Sequence, residues 1–423
     1  MFGDIIVVMA GKILILGGGF GGIRAALDLE KKLKGKAEIT LIDKNGYHLF
    51  VPALYEVASV YILKHDPFSV TLRKSVAVPY SDIFMDKSVN FVQAEARNID
   101  LDARIVTTDS GNNFSFDYLV LALGSQVADF GIPGVREYAY KFKSVEDAIL
   151  INRKVRELCD KASCGERQLP IKMFICGAGF SGIELAAEIS LCARKTARSC
   201  GLKGKPAQVY LFEAMPQFLP QISDKERAVI CKRLTKLGIV LMENSPIESV
   251  GDGHIKLKSG RQFTGDMVIW TAGIRASALL EDVRSLELNE RGKIIVDEHL
   301  RVSGRKNIFA VGDNIEFIDH TTQKPIPSLA YLAIDHGAVA AQNIYNSIRN
   351  KELAHHRPFY ETWIAPVGGK WALAHMFGLI TVGGFMGWVM RELVDLRYFI
   401  SILPFKKAVT LLFREIKIFS GND

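Results

Sequence analysis

Apolar residues fall in one pattern that occurs twice along the chain. Residues 13–16 are an unbroken apolar run of buried-strand length. Glycines crowd positions 17–22, and apolar side chains return at Ile23, Ala26, Leu27 and Leu29 with helical spacing. Residues 172–192 repeat the order of strand run, glycine loop and helix. The two segments align without a gap, GGGFGGIRAALDL over GAGFSGIELAAEI. Each leads to a second strand-like run that ends in an acid, Asp43 after residues 38–42 and Glu213 after residues 209–212. Such strand–helix–strand units build parallel sheets covered by helices. The pattern therefore predicts an α/β chain with two Rossmann-like dinucleotide-binding domains.

Further strands are expected over 89–94, 105–108, 118–123, 239–243, 249–257, 267–270 and 307–313, and helices over 144–158 and 328–344. The apolar run 371–390 is long enough to span a membrane, but it holds His375 and glycines 378, 383, 384 and 387. Two strands joined by a turn fit it better. Residues 387–419 mix Trp, Phe and Leu with Lys and Arg, which predicts an amphipathic tail that lies on a membrane surface. The opening MFGDIIVVMAGK has no basic segment and only a short apolar run, so it reads poorly as a signal peptide. Met9, just ahead of the first strand, is an alternative start.

The glycines carry the first chemistry. Gly17, Gly19 and Gly22, and again Gly177, Gly179 and Gly182, fit G-x-G-x-x-G between strand and helix. The first glycine allows a tight turn, the second lets a pyrophosphate approach the backbone, and the third lets helix pack on strand. The helix N-terminus then offers free N–H groups to phosphate. Asp43 lies about 20 residues past Gly22, where a carboxylate binds a ribose hydroxyl. Glu213 takes the same place in the second unit after a basic insert at 194–205. A carboxylate there repels a 2′-phosphate, so NADH is expected rather than NADPH.

Composition narrows the remaining classes. The net charge is +7, with no long basic block and no basic patch interleaved with aromatics, so nucleic acid is not an expected partner. An anionic membrane or anionic cofactors remain compatible. The six cysteines are scattered from Cys159 to Cys231 without C-x-x-C spacing and read as free thiols of a reducing compartment. His355–His356 has no evident third ligand, so no metal site is expected.

The first glycine motif, the strand YLVLALGS, the second glycine motif and FAVGD, in this order, resemble the two-dinucleotide-binding-domain flavoproteins of the pyridine nucleotide-disulfide oxidoreductase superfamily. Within it the chain most resembles the type II NADH:quinone oxidoreductases, through YHLFVPALYEVAS at 47–59, the run at 121–148, GAGFSGIELAAEI and VIWTAGIRAS at 268–277. Dithiol reductases need a cysteine pair after the first unit, and no cysteine precedes Cys159. Sulfide:quinone oxidoreductases need cysteines near the flavin, including a late one that this chain lacks.

The resemblance implies that residues 11–150 and 276–360 form a discontinuous FAD domain, that 151–275 form an inserted NAD(H) domain, and that 361–423 form strands and a membrane-association tail. It implies FAD on Gly17, Gly19, Gly22 and Asp43, with Gly124 and Asp313 beside it and His48 and Pro52 on a loop over the isoalloxazine. NADH falls to Gly177, Gly179, Gly182, Glu213 and Gly273. Glu184, aligned with Arg24 of the first unit, would relay protons near the nicotinamide and flavin. Lys370 would lie close to both, while Glu188, one turn further, is read as structural. The resemblance also implies a quinone acceptor and a peripheral position on the cytoplasmic, inner-leaflet side of the membrane; a homodimer is compatible. One segment departs: the family's A-Q-x-A-x-Q-Q-G reads here as residues 330–337 with Tyr331, Asp335 and His336 in place of the glutamines. Asp335 and His336 are read as a helix-surface pair. The alternatives are a soluble NAD(P)H-dependent flavoprotein reductase with another acceptor and a flavin- or NAD-binding sensor without turnover.

Overall fold

The first apolar run becomes the strand Lys12–Leu16 and the second becomes Ile171–Cys176, each followed by its helix, Phe20–Leu33 and Phe180–Ser199. The computed structural model describes residues 11–60 and 68–419; the alternative starts Met1 and Met9 lie outside the described residues. It divides into two units. One comprises Met1–His48, Val78–Gln126 and Arg275–Tyr360, and the other Leu49–Ala77, Val127–Ile274 and Glu361–Asp423. This grouping departs from the expected boundaries: 49–77 and 127–150 join the unit that carries the second glycine motif, and so do the C-terminal strands and tail.

In the first unit Lys12–Leu16 sits inside a five-stranded parallel sheet, in the order Ile308–Ala310, Tyr118–Leu121, Lys12–Leu16, Glu38–Asp43, Asn90–Gln93. Ile13, Leu14, Ile15 and Leu16 are all buried, as a strand covered on both faces requires. The chain turns to opposite sides of this strand, so the crevice at its carboxyl end is the switch point where α/β sheets bind ligands. The glycine loop starts there. Gly21 and Gly337 let the helices Phe20–Leu33 and Ala330–Ile348 touch backbone to backbone: a Cβ on Gly337 would strike the Gly21 carbonyl oxygen.

The second unit repeats the plan. Its sheet runs Tyr140–Lys141, Met267–Trp270, Ile171–Cys176, Ala207–Phe212, Val240–Met242, all parallel. Each unit also carries a three-stranded antiparallel meander, from Ala96–Asp100 to Asn113–Ser115 in one and from Ile247–Gly251 to Gln262–Thr264 in the other. The region expected to be two strands is Ala372–Met376 paired with Ile380–Gly384. The strand ends sooner than expected, because a helix Phe385–Ile402 starts directly after Gly384.

The tail is two helices, Phe385–Ile402 and Phe405–Phe419, separated at Leu403–Pro404. It differs from a simple apolar-face, basic-face helix. The buried stripe of Phe385–Ile402 is Gly387, Arg391, Asp395, Phe399 and Ile402, at helical spacing. Phe385, Met386, Leu393, Val394 and Ile400 face outward and are exposed. Ion-pairing groups turn inward and apolar groups turn out. Among the described residues, no helix is long and apolar enough to cross a membrane.

Candidate functional site

The first glycine loop is shaped by two different constraints. A Cβ on Gly17 would collide with the Ala122 carbonyl oxygen, and one on Gly22 with the Gly17 carbonyl oxygen. Gly17 also has φ +102°. These glycines answer to the protein's own packing. Gly19 does not, because nothing lies within 4 Å of a Cβ built there. The second loop behaves identically: Gly177 and Gly182 are blocked by Ala272 and by the Gly177 carbonyl oxygen, and Gly179 is open. In each loop the middle glycine faces open space.

The helix ends agree. Phe20–Leu33 and Phe180–Ser199 have no side-chain cap and no acid in their first turns. Two long helices that start elsewhere are closed by capping boxes, at Ser144 with Asp147 and at Ser223 with Glu226, while Ala330–Ile348 and Phe385–Ile402 are also uncapped but do not follow a G-x-G-x-x-G loop. An open, acid-free N-terminus carries unsatisfied N–H groups and a partial positive charge, and it suits a phosphate.

The two acids hold matching positions. Asp43 accepts from the Gly18 N–H at 2.6 Å and the Asn45 N–H at 2.8 Å. Glu213 accepts from the Ala178 N–H at 3.0 Å and the Met215 N–H at 2.9 Å. Each carboxylate is thus fixed beside its loop with lone pairs left for a ribose. Burial raises the Asp43 carboxyl above the usual carboxylate range, and the bonds from Asn45 and Gly18 oppose this. Both sites fit a dinucleotide in cradle, charge and acid.

Around the first loop, His48 is fully buried and donates from Nδ1 to the Gly18 carbonyl at 3.2 Å. Burial lowers its pKa to about 4, so it is a neutral clamp. Tyr80 donates to the same carbonyl at 2.9 Å; no sequence motif singles it out. The Ser125 hydroxyl donates to Asp313 at 2.8 Å, and the Gly124 N–H donates to Asn314 at 3.2 Å. These bonds bring Gly124 and Asp313 together at the strand ends. Pro52 lies in the 3₁₀ turn Val51–Ala53. Gly273 accepts from Ala128 at 3.0 Å and packs under Phe130.

The helix Ala330–Ile348 corrects one expectation. His336 is 3% exposed rather than on the helix surface. Its Nδ1 accepts the Gly312 N–H at 3.2 Å, next to Asp313. Burial, helped by His356 and Lys293, pushes its pKa down to about 3, so the ring stays neutral and positions the loop through Nδ1. Asp335 lies 3.2 Å from Nδ1 of His356, which is also buried.

In the second unit a polar cluster includes Lys370 and interacts electrostatically with Glu184, the two expected catalytic residues. Arg391 is buried and pairs with Glu56, with Asp395 at 3.4 Å and with Glu392 at 3.5 Å. It packs 5.5 Å from the Tyr55 ring. Glu56, Glu188, Lys370, Arg391, Glu392 and Glu415 line a cavity of about 30 Å³, closed by Trp388, Ile416 and Phe419, with room for a water or two. Glu188 accepts the Gly369 N–H at 2.7 Å, and Arg233 donates to the Val367 and Gly368 carbonyls at 3.0 and 2.7 Å. Those bonds fix the loop that presents Lys370, which lies 6.0 Å from the Trp388 ring centre.

Carboxyls outnumber cations here, and burial raises the pKa values of four of them. Burial pushes Glu184 up to about 8, Glu56 and Asp395 add to the shift, and Arg391 opposes it. Burial likewise lifts Glu392 to about 7 and Asp395 to about 6, and it lifts Glu415 well above its ordinary value. Glu56 and Arg391 gave no local signal in the sequence; charged residues inside an apolar tail helix were the one available hint.

The profile of the pyridine nucleotide-disulphide oxidoreductases matches residues 11–337, and the chain belongs to that family. Within it, the chain is similar to the type II NADH:quinone oxidoreductases of Staphylococcus saprophyticus, 28% identical, and Staphylococcus aureus, 29% identical. Each match runs over 407 residues, 94% of this chain and 98% of the relative. In fold it is similar to an NDH2 of Plasmodium falciparum solved with NADH, with a TM-score of 0.81 at 18% identity over 96% of this chain and 98% of that one. The sulfide:quinone oxidoreductase of Aquifex aeolicus follows at 0.75 and 20%, over 92% and 90%.

Proposed function

We propose that the chain is a membrane-peripheral flavoenzyme that oxidises NADH and reduces a quinone. The observation that carries this is the paired cradle: one open middle glycine, one uncapped helix and one fixed acid in each unit. Gly17, Gly19, Gly22 and Asp43 hold FAD, with Gly124 and Asp313 beside it. Gly177, Gly179, Gly182 and Glu213 hold NADH. When bound, the flavin supplies a two-electron relay between the nicotinamide hydride and the acceptor. Reduction of a quinone by NADH takes up one further proton. Glu184 and Glu392, kept protonated near neutrality by burial, are suited to deliver it. Lys370 places a cation in the lining of the cavity that Glu392 also lines.

The membrane side of the reading rests on the outward apolar residues. Phe377, Leu379, Phe385, Leu393, Phe405 and Phe413 are each more than half exposed, and Lys406 and Lys407 adjoin Phe405. Apolar groups with flanking lysines match a helix lying in the headgroup region of an anionic, inner-leaflet surface. A non-quinone acceptor is the second reading, favoured by His336 and Asp335, which hold structure where the resembled family has glutamines.

Anaerobic NADH added to the purified yellow protein should bleach the flavin, and a short-chain quinone should restore the colour. Bleaching without recovery would select the second reading. No bleaching at all would overturn the NADH assignment.

A further inference from the structure

Glu298, His299 and His355 each bring one ligand atom within 4.8 Å of the others. Neighbours in sequence did not reveal this set, because His355 and His356 part company. His356 is buried against Phe317 and His336, while His355 is exposed and lies with its ring centre 4.5 Å from that of His299.

The set is held in place. The His356 N–H donates to the Glu298 carbonyl at 2.7 Å, locking the two chain segments side by side. The buried side chain of Asn343 binds the Ala354 N–H at 2.7 Å, the Ala354 carbonyl at 2.9 Å and the His299 carbonyl at 3.0 Å. The His299 Nδ1 donates to the Ala354 carbonyl at 3.0 Å, which fixes the tautomer and leaves Nε2 as a lone-pair donor. That Nε2 lies 3.6 Å from a Glu298 oxygen. A ring N–H held by a backbone carbonyl is the outer contact that metal-ligating histidines make.

We propose that Glu298, His299 and His355 bind one divalent transition-metal ion of the zinc class, clipping residues 354–356 to the turn at 297–301. Two imidazole nitrogens and one carboxylate oxygen are a zinc donor set, with a fourth position left for water. Magnesium and calcium prefer all-oxygen shells and are not expected there. The exposed His355 supplies the small movement that closes the donors around the ion. None of the three residues has a part in the reaction proposed above, so the site stands or falls separately.

The test uses the full-length flavoprotein, stripped with a chelator and titrated with zinc sulfate against a chromogenic competitor. One equivalent should bind, and zinc should raise the thermal midpoint while magnesium does not. His355→Asn changes an exposed residue and should leave the circular dichroism and flavin content unchanged. It should nonetheless weaken zinc binding by at least about tenfold and abolish the midpoint shift. Glu298→Gln should weaken binding in the same direction. Equal zinc binding by parent and His355→Asn, or no bound equivalent in the parent, would overturn the proposal.

Discussion

Replacing Glu415 by glutamine tests whether the buried carboxyls hold protons. Glu415 is 4% exposed, and its Oε1 has no hydrogen-bond partner among the described residues. Burial raises its pKa well above 4.5, Asp395 and Glu56 add to the shift, and Arg391 opposes it. The folded chain therefore keeps this proton to a higher pH than the unfolded chain does. Wherever the folded state binds one more proton than the unfolded state, stability falls as pH rises, by about 1.4 kcal/mol per unit. From pH 5.5 to 7.5 the parent should lose stability through this group, by at most about 3 kcal/mol. The glutamine of the variant cannot titrate and escapes that loss. Asp395 and Glu392 remain in both proteins and act with the same sign, so the difference between variant and parent isolates Glu415. The assay is urea unfolding at both pH values, followed by tryptophan fluorescence. All four tryptophans, Trp270, Trp363, Trp371 and Trp388, belong to the unit that contains Glu415. The variant's advantage should grow between the two pH values, by at most about 3 kcal/mol. An advantage that does not change with pH would refute the reasoning.

Three further outcomes are expected. Gly19→Ala should leave the thermal stability of the flavin-free protein unchanged but sharply weaken FAD binding, whereas Gly22→Ala, whose Cβ meets the Gly17 carbonyl oxygen, should fail to give folded protein; thermal melts and flavin content separate the two. Tyr80→Phe removes one bond to the Gly18 carbonyl while His48 keeps the other, so FAD affinity should fall by about 1 kcal/mol, roughly fivefold, in a flavin fluorescence titration. Glu213→Ala should raise the KM for NADH by about tenfold with kcat unchanged, and an unaltered KM would reject the ribose assignment.

Contiguous chemistry was legible in the sequence. A strand, its glycine loop and its helix are neighbours along the chain, so the steric needs of Gly17, Gly19 and Gly22 appear as spacing and repeat at Gly177, Gly179 and Gly182. The acids that end the next strands follow by the same local logic, and so do the strands at 372–376 and 380–384. Distant pairings were not legible. Tyr80 reaches Gly18 across 62 residues, and Arg391 reaches Glu56 across 335. Periodicity places Arg391, Asp395 and Phe399 on one helical face but does not say which way that face looks. The tertiary packing turned it inward, where burial changes what each carboxyl holds at neutral pH, and turned the apolar face out. The same packing sent His336 inside to steady Gly312 and left His355 outside beside His299. In each case the deciding quantity is desolvation, which depends on what surrounds a side chain in space and leaves no mark on its neighbours in sequence.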